Sequence, residues 1–282
     1  MAEPIFTVGP APHIRVGTST VKNHYYSAIA LIPIVVAAII GHGFNAFGIL
    51  FLSVTTAVVT EGISQKVMKQ PMYALDGHSI LMGLIFGLLM PAAVPWWVVI
   101  IGVSMGTFVA KQVFGGLGCY PFNPALIGYL MVLVSWPLKV APIANDSLAQ
   151  TCPYAIALGG LIIFAIGSVN RTLPISFIVG LLVSAGIFNY VYPETVPGAI
   201  DQLMTGTTIL AAFFIVTDPT SSPANKLPKI LFGLTAGVML VVIRVYGSWM
   251  EAVPFAILLA NMISPLLDRI HSKPTAMENT NA

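Results

Sequence analysis

From Tyr25 to Leu267 the chain is a series of apolar runs, most of them about as long as a membrane crossing, each ended by a Gly, Pro or charged break. Such runs decide the fold class. A helix needs ~20 apolar residues to cross a ~30 Å hydrocarbon core, and only helices or closed barrels satisfy their backbone there. Charged residues make up 8% of the 282 and apolar ones 57%, with a mean hydropathy of +0.90, far from a soluble domain. The expectation is an all-α polytopic membrane protein with little room for a soluble catalytic domain.

The breaks mark ten spans, near 25–41, 44–60, 77–90, 94–113, 122–137, 154–168, 173–192, 200–217, 228–245 and 248–267. Spans 77–90 and 154–168 are short for a full crossing, and short or broken spans are what binding sites in transporter-like folds are made from. Residues 1–24 read as a cytoplasmic segment, 25–137 and 154–267 as two five-helix units, 138–153 as a short outer loop and 268–282 as a cytoplasmic tail. The start has no basic region followed by an apolar core, so the first span is expected to serve as the insertion signal.

Loop charge orients the spans. With the N-terminus inside, the cytoplasmic side collects Arg15, Lys22, Lys66, Lys69, Lys111, Arg171, Lys226, Lys229, Arg269 and Lys273, and the other side Lys139 and Arg244. Cytoplasmic loops hold the excess of Lys and Arg in membrane proteins, so this predicts N-in, C-in topology and an even span count.

The two units also echo each other. Val113-Phe-Gly-Gly116 and Pro121-Phe-Asn-Pro-Ala-Leu126 are answered by Val245-Tyr-Gly-Ser248 and Pro254-Phe-Ala-Ile-Leu258. Asp76 is answered by Asp201, and Met90-Pro-Ala-Ala-Val-Pro95 by Thr217-Asp-Pro-Thr-Ser-Ser-Pro223. An odd number of spans per unit turns the second unit upside down, which predicts two inverted five-helix repeats with a site between them.

The longest break, Lys111 to Tyr129, is rich in Gly and Pro and sets Asn123 between Pro121 and Pro124. Backbone this interrupted must be buried in protein or line a cavity at membrane depth. Topology puts it at the cytoplasmic end of the fourth and fifth spans, with its counterpart at 245–258 near the opposite face. Asn123 either pairs with backbone freed by the prolines or hydrogen-bonds a ring system. Asp218, in Thr217-Asp-Pro-Thr-Ser-Ser222, is either a cap at the cytoplasmic surface or a contact to a cofactor or ion, because a carboxylate at depth costs about 2.5–3.5 kcal/mol unless satisfied. His78 reads as a helix-start residue, with proton shuttling as its alternative. Trp96 and Trp97 read as an interfacial belt. His13, His24, His42, His78 and His271 share no metal-ligand spacing, and Cys119 and Cys152 suggest no disulfide framework; a thiolate cluster would need partner chains. No basic run interleaved with aromatics points to nucleic acid.

Taken in order, several motifs resemble the RnfD family, a membrane component of Rnf ion-translocating oxidoreductase complexes. They are Ala11-Pro-His-Ile-Arg15, Asp76-Gly-His-Ser79, Lys111-Gln-Val-Phe-Gly-Gly-Leu-Gly118, Pro121-Phe-Asn-Pro-Ala-Leu-Ile-Gly-Tyr129, Phe213-Phe-Ile-Val-Thr-Asp-Pro219 and Leu258-Leu-Ala-Asn-Met-Ile-Ser-Pro265. The family also includes NqrB, a membrane component of the Na+-translocating NADH:quinone oxidoreductase, and the resemblance covers nearly the whole chain.

That resemblance implies ten transmembrane helices in two inverted halves with a urea-channel-like fold. It implies a cytoplasmic-membrane subunit of a redox-driven ion pump, a translocase acting only within its complex. Electrons would pass between ferredoxin and NADH, or a related acceptor, coupled to Na+ or H+, with partner subunits holding iron–sulfur clusters and flavins. It further implies FMN joined through its phosphate to a threonine in the outer loop between the fifth and sixth spans, and a non-covalent riboflavin in the membrane part. Here Trp136 to Pro153 lacks the family's Ala-Thr acceptor; Thr151 is the nearest candidate, with Asp146 five residues before it. Thr208 ends a closer-looking Thr205-Gly-Thr-Thr208, but in the eighth span, where small hydroxyl residues equally permit close helix contact. The cofactor-binding candidates are therefore Thr208, Thr151, Thr205, Asn123 and Asp218, with no catalytic side chain. Two other classes fit the same pattern, a channel or solute transporter and a passive scaffold for redox subunits.

Overall fold

The computed structural model describes residues 20–70, 72, 76–140, 147–167, 169–205, 207–247 and 252–270. The opening motif at 11–15, Asp146, Gly206 and the tail from 271 lie outside these residues, as do most of the predicted N-terminal segment and the middle of the outer loop. In chain order the helices are α1 (Thr20–Ala30), α2 (Ile32–Val67), α3 (His78–Leu89), α4 (Trp96–Thr107), α5 (Pro124–Ser135), α6 (Pro137–Val140), α7 (Pro153–Ile166), α8 (Thr172–Val191), α9 (Ala199–Met204), α10 (Thr208–Leu210), α11 (Lys226–Gly247) and α12 (Ala252–Arg269). Helix α4 runs on through a π-helical turn, Phe108–Gln112, and α10 through a second, Ala211–Ile215; a 3-10 turn, Leu148–Thr151, precedes α7.

Four helical stretches are long and apolar enough to cross a membrane: Val21–Val67, Thr172–Val191, Lys226–Gly247 and Ala252–Arg269. Four shorter apolar ones are His78–Leu89, Trp96–Gln112, Pro124–Ser135 and Pro153–Ile166, so the predicted short spans at 77–90 and 154–168 are short helices. The chain is an all-helical membrane protein.

The first stretch, 47 residues, is not one rod. Gly43 has φ 63° and ψ −141°, a conformation that side chains with a Cβ disfavour. On a straight helix His24 and Glu61 would stand roughly 55 Å apart at 1.5 Å per residue. Instead the His24 ring lies 5.1 Å from that of His78, whose Nδ1 is 3.0 Å from Lys111 Nζ, itself 2.7 Å from Glu61. The chain therefore doubles back at Gly43, between the predicted spans 25–41 and 44–60.

The predicted span 200–217 is corrected. Helix α9 stops at Met204, Thr205 is extended (φ −84°, ψ 138°), and α10 begins at Thr208. Arg244 of α11 stabilises the interruption: its guanidinium donates to the carbonyls of Gln202 (2.6 Å) and Thr205 (3.0 Å). Those acceptors are freed by the break and would be costly if left bare in lipid.

Side chains sort as lipid requires. On α2, Ser53, Glu61, Ser64 and Gln65 are buried, while Ile40, Phe44, Phe51 and Ile63 face outward. Small residues set the helix contacts, because association within lipid depends on close packing rather than apolar burial. A Cβ on Gly128 of α5 would overlap the carbonyl of Gly102 on α4, and one on Gly237 of α11 the carbonyl of Phe177 on α8. Helices α2 to α5 pack together, as do α8, α11 and α12; the contact of α12 with α5 joins the two groups, and α7 lies against α1, α2 and α10.

Candidate functional site

The break after the first π-helical turn and the break after the second meet. Asn123 caps α5, its Oδ1 accepting from the backbone N–H of Ala125 (3.0 Å) and Leu126 (3.4 Å), with Pro124 supplying the fixed φ of the first helical position. Its Nδ2 donates across the molecule to Asp218 Oδ2 at 3.4 Å. Asp218 is not a helix cap. It closes a tight turn, accepting from Thr220 N–H (3.3 Å) and Ser221 Oγ (3.0 Å), and it takes a third bond from Tyr120 Oη at 3.1 Å. With Asn123 this makes four donors, enough to fill a carboxylate's acceptor sites.

Behind Tyr120 the contacts continue inward. Tyr120 Oη lies 2.8 Å from His78 Nε2, and His78 Nδ1 lies 3.0 Å from Lys111 Nζ. Lys111 also donates to both oxygens of Glu61, at 2.7 and 2.8 Å, and the side-chain amides of Gln65 and Gln112 donate to Glu61 Oε1, each at 3.1 Å. Lys111 is 0% exposed and Glu61 1%, so this is a buried ion pair. The assignment of Lys111 to a cytoplasmic loop is corrected accordingly. The π-helical turn carries Ala110, Lys111 and Gln112 all into the interior, and such turns occur often at functional positions. His78 opens α3, its backbone N–H held by Asp76 Oδ1 at 2.9 Å, but its ring is a buried link rather than a surface feature.

A cavity of about 350 Å³ lies where the halves meet, lined by His24, His78, Asn123 and Asp218 and by apolar side chains that include Met82 and Phe214. Asp218 borders it, yet its carboxyl is enclosed by protein. Burial pushes that carboxyl up from the ordinary value, opposed by its bonds from Thr220, Ser221 and Tyr120. Burial and the neighbouring Asp218 push the Tyr120 phenol well above its usual value, which keeps it a donor.

The predicted threonines lie elsewhere. Thr208 is buried; its hydroxyl accepts from Arg244 (2.6 Å) and donates to the Thr205 carbonyl (2.6 Å). The Thr205 hydroxyl donates to the Asp201 carbonyl at 2.6 Å. Arg244 thus stands to the start of α10 as Lys111 stands to the start of α3, and Gly206-Thr-Thr-Ile-Leu210 matches Gly77-His-Ser-Ile-Leu81 in sequence. Thr151 is half-buried near the Gly43 turn, with His42 Nδ1 3.2 Å from its Oγ1 and the Leu148 carbonyl accepting its proton at 2.8 Å. That turn is about 28 Å along the helical stretch from His24, at the other end of the hairpin from the cavity.

Sequence reasoning missed Glu61, Tyr120 and the inward aim of Lys111. Glu61 carried one available signal: it is the single acid in a long, mainly apolar helix, where ionisable groups are functional by default.

Two comparisons bear on this architecture. The curated relatives include a protein of Yersinia enterocolitica named as the D-type subunit of an ion-translocating oxidoreductase complex, 27% identical over 85% of this chain and 89% of its own length. A protein of the same name from Methanosarcina acetivorans is 28% identical over 93% of this chain and 94% of its own. A sequence model of the NQR2, RnfD, RnfE family matches residues 7–145 and 139–276, nearly the full length. By that match, the chain belongs to the NQR2, RnfD, RnfE family.

Proposed function

We propose that this chain is the membrane subunit of an ion-translocating oxidoreductase complex, and that the cavity between its halves holds a flavin through which electrons pass. Family membership and the names of the relatives support the complex; the relatives carry that name over nearly their whole length. The observation that carries the flavin reading is the cavity itself. Its volume is within the usual range for ligand sites, and it combines apolar walls with a few convergent polar groups, as a flat ring with a polar edge requires. When bound, a flavin supplies electron acceptance and release in single steps.

The chain's own residues do the rest. Asn123 and Asp218, one from each half, offer a donor and an acceptor to the ring edge. Of the four bonds to Asp218, the one from Asn123 is the longest and the one a ligand would replace. Phe214, Met82 and Ile85 exclude water from the ring face. A second flavin, FMN, is proposed on Thr151. Supporting this is the half-buried Thr151 hydroxyl beside His42, against a Thr208 hydroxyl that is buried and bonded to Arg244.

The same reading takes the fold as ten spans in two inverted repeats, N-in and C-in, with α9 and α10 as one broken span. The matched placing of Lys111 and Arg244 supports it. Partners would be the cluster- and flavin-bearing subunits, with electrons moving between ferredoxin and NADH, or a related acceptor, against Na+ or H+.

Flavin analysis of the purified complex tests both sites. This chain should fluoresce on a denaturing gel and gain the mass of one FMN phosphoester, lost in Thr151→Ala and kept in Thr208→Ala. Asn123→Ala and Asp218→Ala should each weaken retention of the non-covalent flavin about tenfold, as expected for one or two buried hydrogen bonds. Full retention in both variants, with normal assembly, would remove the cavity from consideration.

A further inference from the structure

We propose that Lys111, His78 and Tyr120 form a proton wire that in its resting state is oriented toward Asp218, giving the cavity between the halves a buried proton donor. Its use during reduction of a cavity-bound flavin rests on the function proposed above; its direction does not.

Direction follows from donor chemistry. A lysine ammonium has three donors and no acceptor. Two of the Lys111 donors go to Glu61 Oε1 and Oε2, and the third reaches His78 Nδ1 at 3.0 Å. The Nδ1 must therefore accept, so the proton of the neutral ring sits on Nε2. That N–H, 2.8 Å from Tyr120 Oη, must donate to it, and the phenol proton is left to point at Asp218 Oδ1, 3.1 Å away. Every link donates toward the cavity, and Lys111, His78 and Tyr120 are each under a tenth exposed, which shields the relay from bulk water.

One passage shifts each proton by one place. An Nζ–H bond of Lys111 breaks as Nδ1–H forms on His78; Nε2–H breaks as a new O–H forms on Tyr120; the old Tyr120 O–H breaks as Oδ1–H forms on Asp218. The ammonium becomes an amine and the carboxylate an acid. No electrons move and net charge is unchanged; the resting state returns when one proton is delivered to Lys111 and the His78 proton moves back from Nδ1 to Nε2. Glu61 holds the ammonium in the resting state through both of its oxygens. The other titratable groups facing the relay are His24 on α1, its ring 5.1 Å from that of His78, and Asp76 before α3, bonded to the His78 backbone.

Two measurements on the assembled complex decide it. With histidine rings labelled with nitrogen-15, the His78 signals, identified by their loss in His78→Gln, should report the neutral Nε2–H tautomer. An Nδ1–H tautomer or a doubly protonated ring overturns the wire, whatever fills the cavity. During dithionite reduction, infrared difference spectra should show a new carboxylic-acid band that disappears in Asp218→Asn. In Tyr120→Phe that band should rise about a hundredfold more slowly, the low end of what a positioned proton donor contributes. His78→Gln serves as the second interruption should Tyr120→Phe not assemble. A band rising at the wild-type rate in the interrupted variant overturns the wire but leaves the flavin, whose bleaching is read in the same sample. Absence of a cavity flavin removes the redox use alone, and the tautomer still supports or overturns the wire.

Discussion

Lys111 changes meaning more than any other residue between chain and fold. Its position at the end of an apolar run looks like a loop charge, and it is instead one half of a buried pair with Glu61, fifty positions away. Removing one partner leaves an uncompensated buried charge, a loss of about 3–5 kcal/mol. Glu61→Gln should therefore lower the thermal midpoint of the detergent-solubilised complex sharply, and Glu61→Gln with Lys111→Met should recover most of it. Asp218 makes a pH prediction. Its folded-state affinity for protons is raised, so the folded protein holds more protons than the unfolded one between the ordinary carboxylate value and the raised one. Stability should fall as pH rises through that window; in Asp218→Asn the slope should be smaller, as read from melting midpoints across pH. For Asn123 the sequence offered two roles, pairing with broken backbone or contacting a ring, and its side chain does cap the backbone at the start of α5. Its bond to Asp218 was not legible, because no local pattern encodes a contact across ninety-five positions.

At the scale of elements, the helices follow from local pattern, and their interruptions depend on partners. The hairpin at Gly43 and the short α3 and α7 were readable from Gly and Pro in apolar runs. The break between α9 and α10 was not, because it is sustained by Arg244 from another helix. Arg244→Met should take the short donor from the Gln202 carbonyl, while the Thr208 hydroxyl still serves that of Thr205, and so destabilise the complex by about 1–3 kcal/mol. Packing between α8 and α11 gives a sharper contrast. Gly237→Ala drives a methyl into α8 backbone, an overpacking worth about 1–3 kcal/mol, whereas Gly186→Ala on the same helix pair meets open space and should be neutral or slightly stabilising. Thermal unfolding of the two variants side by side reads the difference.

At the scale of the molecule, the N-in, C-in orientation proposed from the bias of Lys and Arg among the loops can be tested directly. With Cys119 and Cys152 replaced by serine, Lys139→Cys should react with an impermeant maleimide added to intact cells. Lys66→Cys and Lys226→Cys should react only after permeabilisation. The reverse pattern would invert the N-in, C-in proposal, and labelling of all three from outside would dismantle the span order.

What the chain alone determined is what each residue's immediate neighbours determine: a helical membrane protein, the helix ends marked by Gly and Pro, and a motif order that names the family. Apolar length and turn chemistry are local, so they survive without coordinates. Tertiary structure alone decided which breaks face each other, that Lys111 turns inward to Glu61, and that His78 and Tyr120 connect this pair to Asp218. Those contacts come from helix packing, which brings together groups thirty-three to ninety-eight positions apart. Each hydrogen bond exists because a buried polar group had to find a partner, and which partner it found was set by geometry that no single stretch of sequence contains.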